Sequence, residues 1–374
     1  GIYIEAKDFG VVHHIHLRNL EIHDVNGVHG NMLGGDFQKN KDSGGIVSSI
    51  LGEQVETYFD HFLVEGCHIH HVSQTGIYNT SSWDDREWPR NSGVYTNHSW
   101  VPSLNMVLRN NIIEHVAGNG IIITNAHAPL VEHNRLDYCG EFTTGNAAFC
   151  FNTDYALFQY NVISNTIHNE GDVDSGGLDS DFKTRWTTFQ YNYCYNNGKG
   201  GFLITGGPKR WNSSFNYETI IRYNLLVNNG DHAIKTSGNV MSLKIYNNHI
   251  YSDIDESIDV IQHRSWDGSS RSAEYFNNIF YCNGNKGSVD LGNSTGNSIH
   301  DNMFSGIDEH FAVKKDINLW DIAPVYLASP TPQVNDIENF RLAPTSPGID
   351  TGNNDQYESQ DGTGGIIEIR DFFG

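Results

Sequence analysis

The sequence predicts an all-β chain wound as a parallel solenoid of about ten coils, and three observations carry that prediction. A six-residue pattern, apolar-x-x-Asn-x-apolar, returns along the chain. Stretches of period-two alternation lie between its copies. Sustained apolar spacing of the helical kind is absent. The pattern reads LRNNII, VEHNRL, FQYNVI, FQYNYC, IRYNLL, IYNNHI, YFNNIF and IHDNMF, with Asn111, Asn134, Asn161, Asn192, Asn224, Asn248, Asn278 and Asn302 at its fourth position. Their intervals are 23, 27, 31, 32, 24, 30 and 24 residues. Each interval holds two or three short strands and their turns. An amide stacked on its equivalent one coil away can hydrogen-bond both that amide and the turn backbone.

Taken in order, the first coils keep the frame with other turn residues: LRNLEI with Leu20 and VEGCHI with Cys67. Between the turns, GIYNT (76–80), GVYTNH (93–98), GIIITN (120–125), AFCFNTD (148–154), GLDSDF (177–182), GFLIT (201–205) and AIKTS (233–237) read as short strands. Two longer loops, at 80–92 and 205–218, interrupt the coils, and such excursions are where solenoids place function. Residues 1–310 form the solenoid on this reading. Residues 311–374, which hold most of the prolines, form a less regular C-terminal cap packed on the last coil.

Composition narrows the function. The chain has 374 residues, with 23 Lys and Arg against 45 Asp and Glu, for a formal charge of −22. A surface this acidic repels phosphate, so a nucleic-acid partner is excluded. No apolar run is long enough to span a membrane. The 19 Phe, 18 Tyr and 7 Trp supply too much apolar surface for a disordered chain. Five cysteines, Cys67, Cys139, Cys150, Cys194 and Cys282, are too scattered for a disulfide framework and read as small apolar packers, at least one of them unpaired. The chain opens at Gly1 with no basic, apolar leader, so an extracellular or periplasmic location is inferred from substrate class alone.

The same residues carry a resemblance. The coil pair GGLDSDFKTRWTTFQYNYCYNNGKGGFLITGGP (176–208), with SPGIDTG (346–352) and RDFFG (370–374), is similar to right-handed parallel β-helix enzymes of polysaccharide-degrading systems. That superfamily includes pectate lyases, polygalacturonases and many glycosidases. Asn152-Thr153-Asp154 resembles a polygalacturonase triplet, whereas the companion GHG and RIK motifs are not in the chain. The resemblance implies a right-handed parallel β-helix and a carbohydrate substrate.

Strand alternation places the candidate site. If Leu178 and Ser180 point inward, Asp179 and Asp181 point outward together, about 7 Å apart. On the preceding coil the larger apolar residues, Phe149 and Phe151, are expected inside, with Cys150, Asn152 and Asp154 outside. On the following coils Leu203, Thr205 and Lys235 are expected outside. Glu170, Asp172 and Asp174 precede the strand, so several carboxylates crowd one face. At least one of them must hold its proton beside an ionised neighbour, which is what glycoside hydrolysis requires. Asp179 and Asp181 are the favoured catalytic pair, with Asp154 and Asp174 as replacements. Asn152, Trp186, Lys209, Arg210, Trp211 and Lys235 are the candidate substrate-binding residues, the tryptophans as apolar platforms for sugar rings.

Two other readings use the same face. Asp154, Asp179, Asp181 and Asn152 could hold Ca²⁺ in a polysaccharide lyase or epimerase, with Lys209, Arg210 or Lys235 as base. A non-catalytic glycan-binding helix is the third. The histidines of His13-His14-x-His16 and His68-x-His70-His71 share strand faces, but no carboxylate cluster of suitable spacing joins them in sequence, so no metal site is expected there.

Overall fold

The structure is a computed structural model describing residues 1–27, 41, 43–86, 99–172, 174–209, 214–284, 286–308, 318–330, 337–349 and 351–353. Its strands stack in three parallel faces. The first face contains Gly44–Leu51, Thr75–Ser81, Ile121–His127, Ala148–Asp154, Gly176–Ser180, Gly200–Gly207, His232–Gly238 and Ile258–Arg264 in successive register. A second face carries the strands that enter each Asn turn, such as Leu157–Gln159 and Thr188–Gln190. A third carries those that leave it, such as Val162–Ser164 and Tyr193–Tyr195. Among the described residues, the one antiparallel strand pair is Asp84–Asp85 with Ser99–Trp100. It lies in the excursion after Thr75–Ser81.

The core is built of columns. Val64, Leu108, Val131, Phe158, Phe189, Ile221, Ile245 and Tyr275 stack in register along the second face, all buried. Ile69, Ile113, Leu136, Ile163, Cys194, Leu226, Ile250 and Phe280 do so along the third. Each coil hides its apolar row only because its neighbour covers it. All five cysteines are buried and free, in line with their reading as apolar packers.

The Asn turns form one continuous ladder. Each side-chain Nδ2 donates to the next Oδ1 at 2.9 to 3.0 Å from Asn111 to Asn302. Asn318 extends the series, accepting from Asn302 at 3.1 Å. Every one of these oxygens also takes the preceding turn's backbone N–H, so the carbonyl has two donors. At the N-terminal end, the Cys67 amide donates to Asn111. From Asn111 to Asn302, the residue before each amide adopts the left-handed conformation, as at Tyr160, Tyr191 and Tyr223, whose rings stack outside the turn 5.1 Å apart. Replacing Asn192 by Ala should strand the Asn161 backbone N–H and take one partner each from Asn161 Nδ2, Phe158 O and Asn224 Oδ1 inside the turn. We expect a loss of about 3 kcal/mol in denaturant unfolding, from several buried hydrogen bonds removed together.

One orientation expected from the sequence is reversed. In Ala148–Asp154 it is Ala148 and Cys150 that enter the core, while Phe149 and Phe151 face outward. Phe158 and Phe189 already fill the interior at this level, so only small side chains fit opposite them. Within 311–374, Leu319–Trp320 pairs with Met303–Phe304, while Tyr326, Ile337 and Phe340 pack against Tyr193, Leu225, Val227 and Tyr251.

Candidate active site

The first face carries a cleft of about 830 Å³. Its floor follows from strand register. Tyr78, Ile122, Phe149, Asp179, Leu203 and Lys235 occupy one column, each on the next coil. The neighbouring outward column contributes Thr124, Phe151, Asp181, Thr205 and Ser237. Asp179 and Asp181 therefore open into the cleft together, with Leu178 and Ser180 buried beneath them.

Asp179 is held from behind. The Asn146 carbonyl oxygen accepts the Gly176 amide at 2.9 Å and the Ser175 amide at 3.3 Å, which turns its Nδ2 toward Asp179 Oδ2 at 3.1 Å. Asp179 Oδ1 is buried and has no hydrogen-bond partner among the described residues. Burial, then Asp181 and Asp174, hold the Asp179 carboxyl well above the usual range. Asp181 is pushed up to about 7, chiefly by burial and then by Asp174, against a hydrogen bond from the Phe182 amide. Asp174 is raised by burial, with Lys41, Lys199 and Lys235 opposing. Buried like charges cannot all ionise, so protons are retained here at neutral pH. The three lysines line the same cleft, and burial lowers Lys41 and Lys235.

Several sequence candidates have other positions. Asp154 lies outside the cleft lining, where Arg185 binds both its oxygens and Arg86 Nη1 reaches Oδ1 at 2.8 Å. Asn152 sits in the left-handed region, φ 54°, which breaks the alternation and turns Asp154 away. The quartet expected to hold Ca²⁺ is thus split, because both Asp154 oxygens are committed to guanidinium groups. Asn152 lines the cleft with a buried, unpartnered Oδ1. Asp172 also lines it, but its Oδ2 closes its own turn through the Asn169 amide and Ser175 hydroxyl. Trp186 is away from the cleft, stacked on Tyr155 at 4.5 Å and donating to Glu218. Lys209 is elsewhere too, beside Gly268 and Arg271. Arg210 and Trp211 lie outside the described residues.

The aromatic walls come from residues that sequence reasoning missed. Phe182 and Trp266 meet edge to face at 6.5 Å above the carboxylates, with Phe149 and Phe151 beside them. Lys41 lies over the Phe149 ring at 5.1 Å. Asn146, Lys41 and Trp266 carry no local motif, because each reaches the site from a turn or loop on another coil.

The pattern described as "right handed beta helix region" matches residues 57–250, just over half of the chain. The chain belongs to the right-handed β-helix family. Within that family, this β-helix is similar to a lacto-N-biosidase of Bifidobacterium longum subsp. longum, 25% identical over 294 residues. The match covers 69% of this chain and 17% of that protein. Two crystal structures of a GH136 lacto-N-biosidase from Eubacterium ramulus also match at 25% identity. The native form has a TM-score of 0.54 over 68% of this chain and 41% of that one; the selenomethionine form has 0.59 over 76% and 45%. The β-helix thus spans less than half the length of each of these relatives. Among the described residues no helix is long and apolar enough to cross a membrane.

Proposed function

We propose that this β-helix carries the catalytic cleft of a glycoside hydrolase acting on an oligosaccharide, with Asp179 as proton donor and Asp181 as the ionised partner. The observation that carries this reading is the Asp179 carboxyl in the cleft lining: raised first by burial and then by Asp181 and Asp174, with its Oδ1 lacking a hydrogen-bond partner. A glycosidic oxygen placed at Asp179 Oδ1 receives the proton as its bond to the anomeric carbon breaks. The Asp181 carboxylate, on the same wall, either attacks that carbon or takes a proton from the water that does. Asp174 is the third carboxyl of the cluster, and Lys41, Lys199 and Lys235 offset its charge. Phe182 and Trp266 offer apolar surfaces to the sugar's C–H groups, while Asn152 Oδ1 can accept from a hydroxyl.

The likeness to lacto-N-biosidases supports this reading, and a substrate bearing a lacto-N-biose unit is the first to try. The action of such an enzyme on glycans outside the cell would place it there. Mass spectrometry of the products is the test. Fragments that sum to the substrate plus one water support hydrolysis. A fragment pair with no water gained and one unsaturated end would overturn it and bring Lys235, one of two cleft lysines whose proton affinity burial lowers, forward as an eliminating base.

The pH profile gives a second check. With Asp181 ionised and Asp179 protonated in the working form, kcat/KM should fall as pH drops through about 7. It should fall again at higher pH, where Asp179, whose carboxyl burial and then Asp181 hold well above the usual range, loses its proton. An acid limb at the ordinary carboxylate value, near 4, would remove Asp181 from the ionised role.

A further inference from the structure

The third face carries a row of imidazoles and carboxylates far from any use in the cleft. Parallel register sets Glu21 beside His68, and His23 beside His70 and then Glu114. Side chains two apart on adjacent strands thus converge from three coils. One nitrogen or oxygen from each of Glu21, His68 and His70 lies within 4.8 Å of the other two. Among the described residues this is the one group of three or more His, Cys, Asp or Glu side chains that meets such spacing. The carboxylates that seemed missing in sequence are supplied by neighbouring coils.

The second partners of these side chains sharpen the picture. His70 Nε2 lies 3.4 Å from Glu21 Oε1, while its Nδ1 lies 2.8 Å from His71 Nδ1. When Nδ1–H donates to His71, the bare Nε2 lone pair faces a carboxylate oxygen. Two acceptors at that range repel unless a proton or a cation lies between them. Ligand atoms about 2.1 Å from a tetrahedral zinc are themselves about 3.4 Å apart. Glu114 Oε1 sits 2.9 Å from His68 Nε2, and the His68 and His70 rings are 4.3 Å apart between centroids. Imidazoles with an outer carboxylate or imidazole on the opposite nitrogen are oriented as metal ligands are.

We propose that Glu21, His68 and His70 bind a divalent cation of the zinc class on the outer third face, with Glu114 and His71 as orienting partners. Two imidazoles and one carboxylate suit Zn²⁺ and its transition-metal neighbours; Ca²⁺ and Mg²⁺ prefer sites made of oxygen. Three protein ligands leave a fourth position for water. The ion joins consecutive coils at the N-terminal end of the solenoid, and the chain's charge of −22 favours a bound cation.

The test is competition of the metal-free chain against a colorimetric zinc chelator, read beside thermal melts with and without zinc. The wild type should take up one Zn²⁺ tightly and melt higher with it, whereas Ca²⁺ should do neither. His70→Gln should lower zinc affinity at least tenfold and abolish the melting shift, and Glu114→Gln should weaken binding by about ten- to a hundredfold. A His14→Ala variant, in the separate cluster with His16 and His61, should bind as the wild type does. These are surface positions, and an unchanged metal-free melt shows that each variant folds. Wild-type affinity in His70→Gln, loss of binding in His14→Ala instead, or no tight site in the wild type would each overturn the proposal.

Discussion

Asparagine at position 179 should reduce turnover by about a hundred- to ten-thousandfold while leaving the fold more stable, not less. The first effect follows from removing the proton held at Oδ1; Asn cannot protonate a departing oxygen. The second follows from linkage. A carboxyl whose folded pKa is raised favours the native state below its unfolded pKa, near 4, and that advantage is lost progressively as pH rises. Asn carries no such penalty. The gain in melting temperature of Asp179→Asn over the wild type should therefore be small at pH 4 and grow toward pH 8. Asp181→Asn should behave alike, with its gain spread between about 4 and about 7, where its carboxyl titrates. The double variant should lose little more activity than either single one, because the two act as a unit. A variant with both lower turnover and a lower melting point at pH 8 would show the pair to be structural.

Asp154→Asn should do the reverse, destabilising the chain by about 3–5 kcal/mol. Asp154 is the shared anion between Arg86, brought in by the excursion after Thr75–Ser81, and Arg185. All three are buried, and Arg86 also stacks over Trp100 at 4.1 Å. Neutralising the carboxylate removes the buried anion that both guanidinium groups share, at a cost that hydrogen bonds to a neutral amide do not offset. The same contact anchors the loop that brings Asp84 to the cleft wall, so KM should rise as well. Chemical denaturation at pH 7 reads the first effect. Full loss of kcat with wild-type stability would instead return Asp154 to the catalytic group.

The contrast between these aspartates shows which parts of the site were readable in advance. Asp179 and Asp181 could be placed because Gly176–Ser180 keeps extended backbone, so small and apolar residues mark one side and carboxylates the other. Asp154 could not, because the left-handed Asn152 resets the alternation two residues earlier. The Phe149 and Phe151 orientation failed for a packing reason. Apolar size predicts burial only where the interior has room, and Phe158 and Phe189 had taken it. The ladder was legible because its rung is local, six residues long, whereas its depth in hydrogen bonds was not. Arg86, Asn146, Lys41 and Trp266 enter from loops whose paths no periodicity describes. The histidine group was visible along the strand, but its carboxylates arrive from the coils on either side, and cross-coil register cannot be read from one segment.

The ladder of Asn amides has a consequence for how such a molecule can change over time. Its rungs make the same bonds although the intervals between them run from 23 to 32 residues. Identity of the rung and freedom of the interval are thus separable. A segment duplicated or excised from one amide to the next would rejoin with its bonding pattern intact, and segment length need not match. Growth inside an interval raises a wall on the first face without disturbing the seam, as the Arg86 excursion has done. Three added residues within a rung would instead leave an amide facing nothing. Recombination breakpoints tolerated by this chain should therefore fall at the outer bends, and new clefts can be assembled by lengthening bends above an old floor.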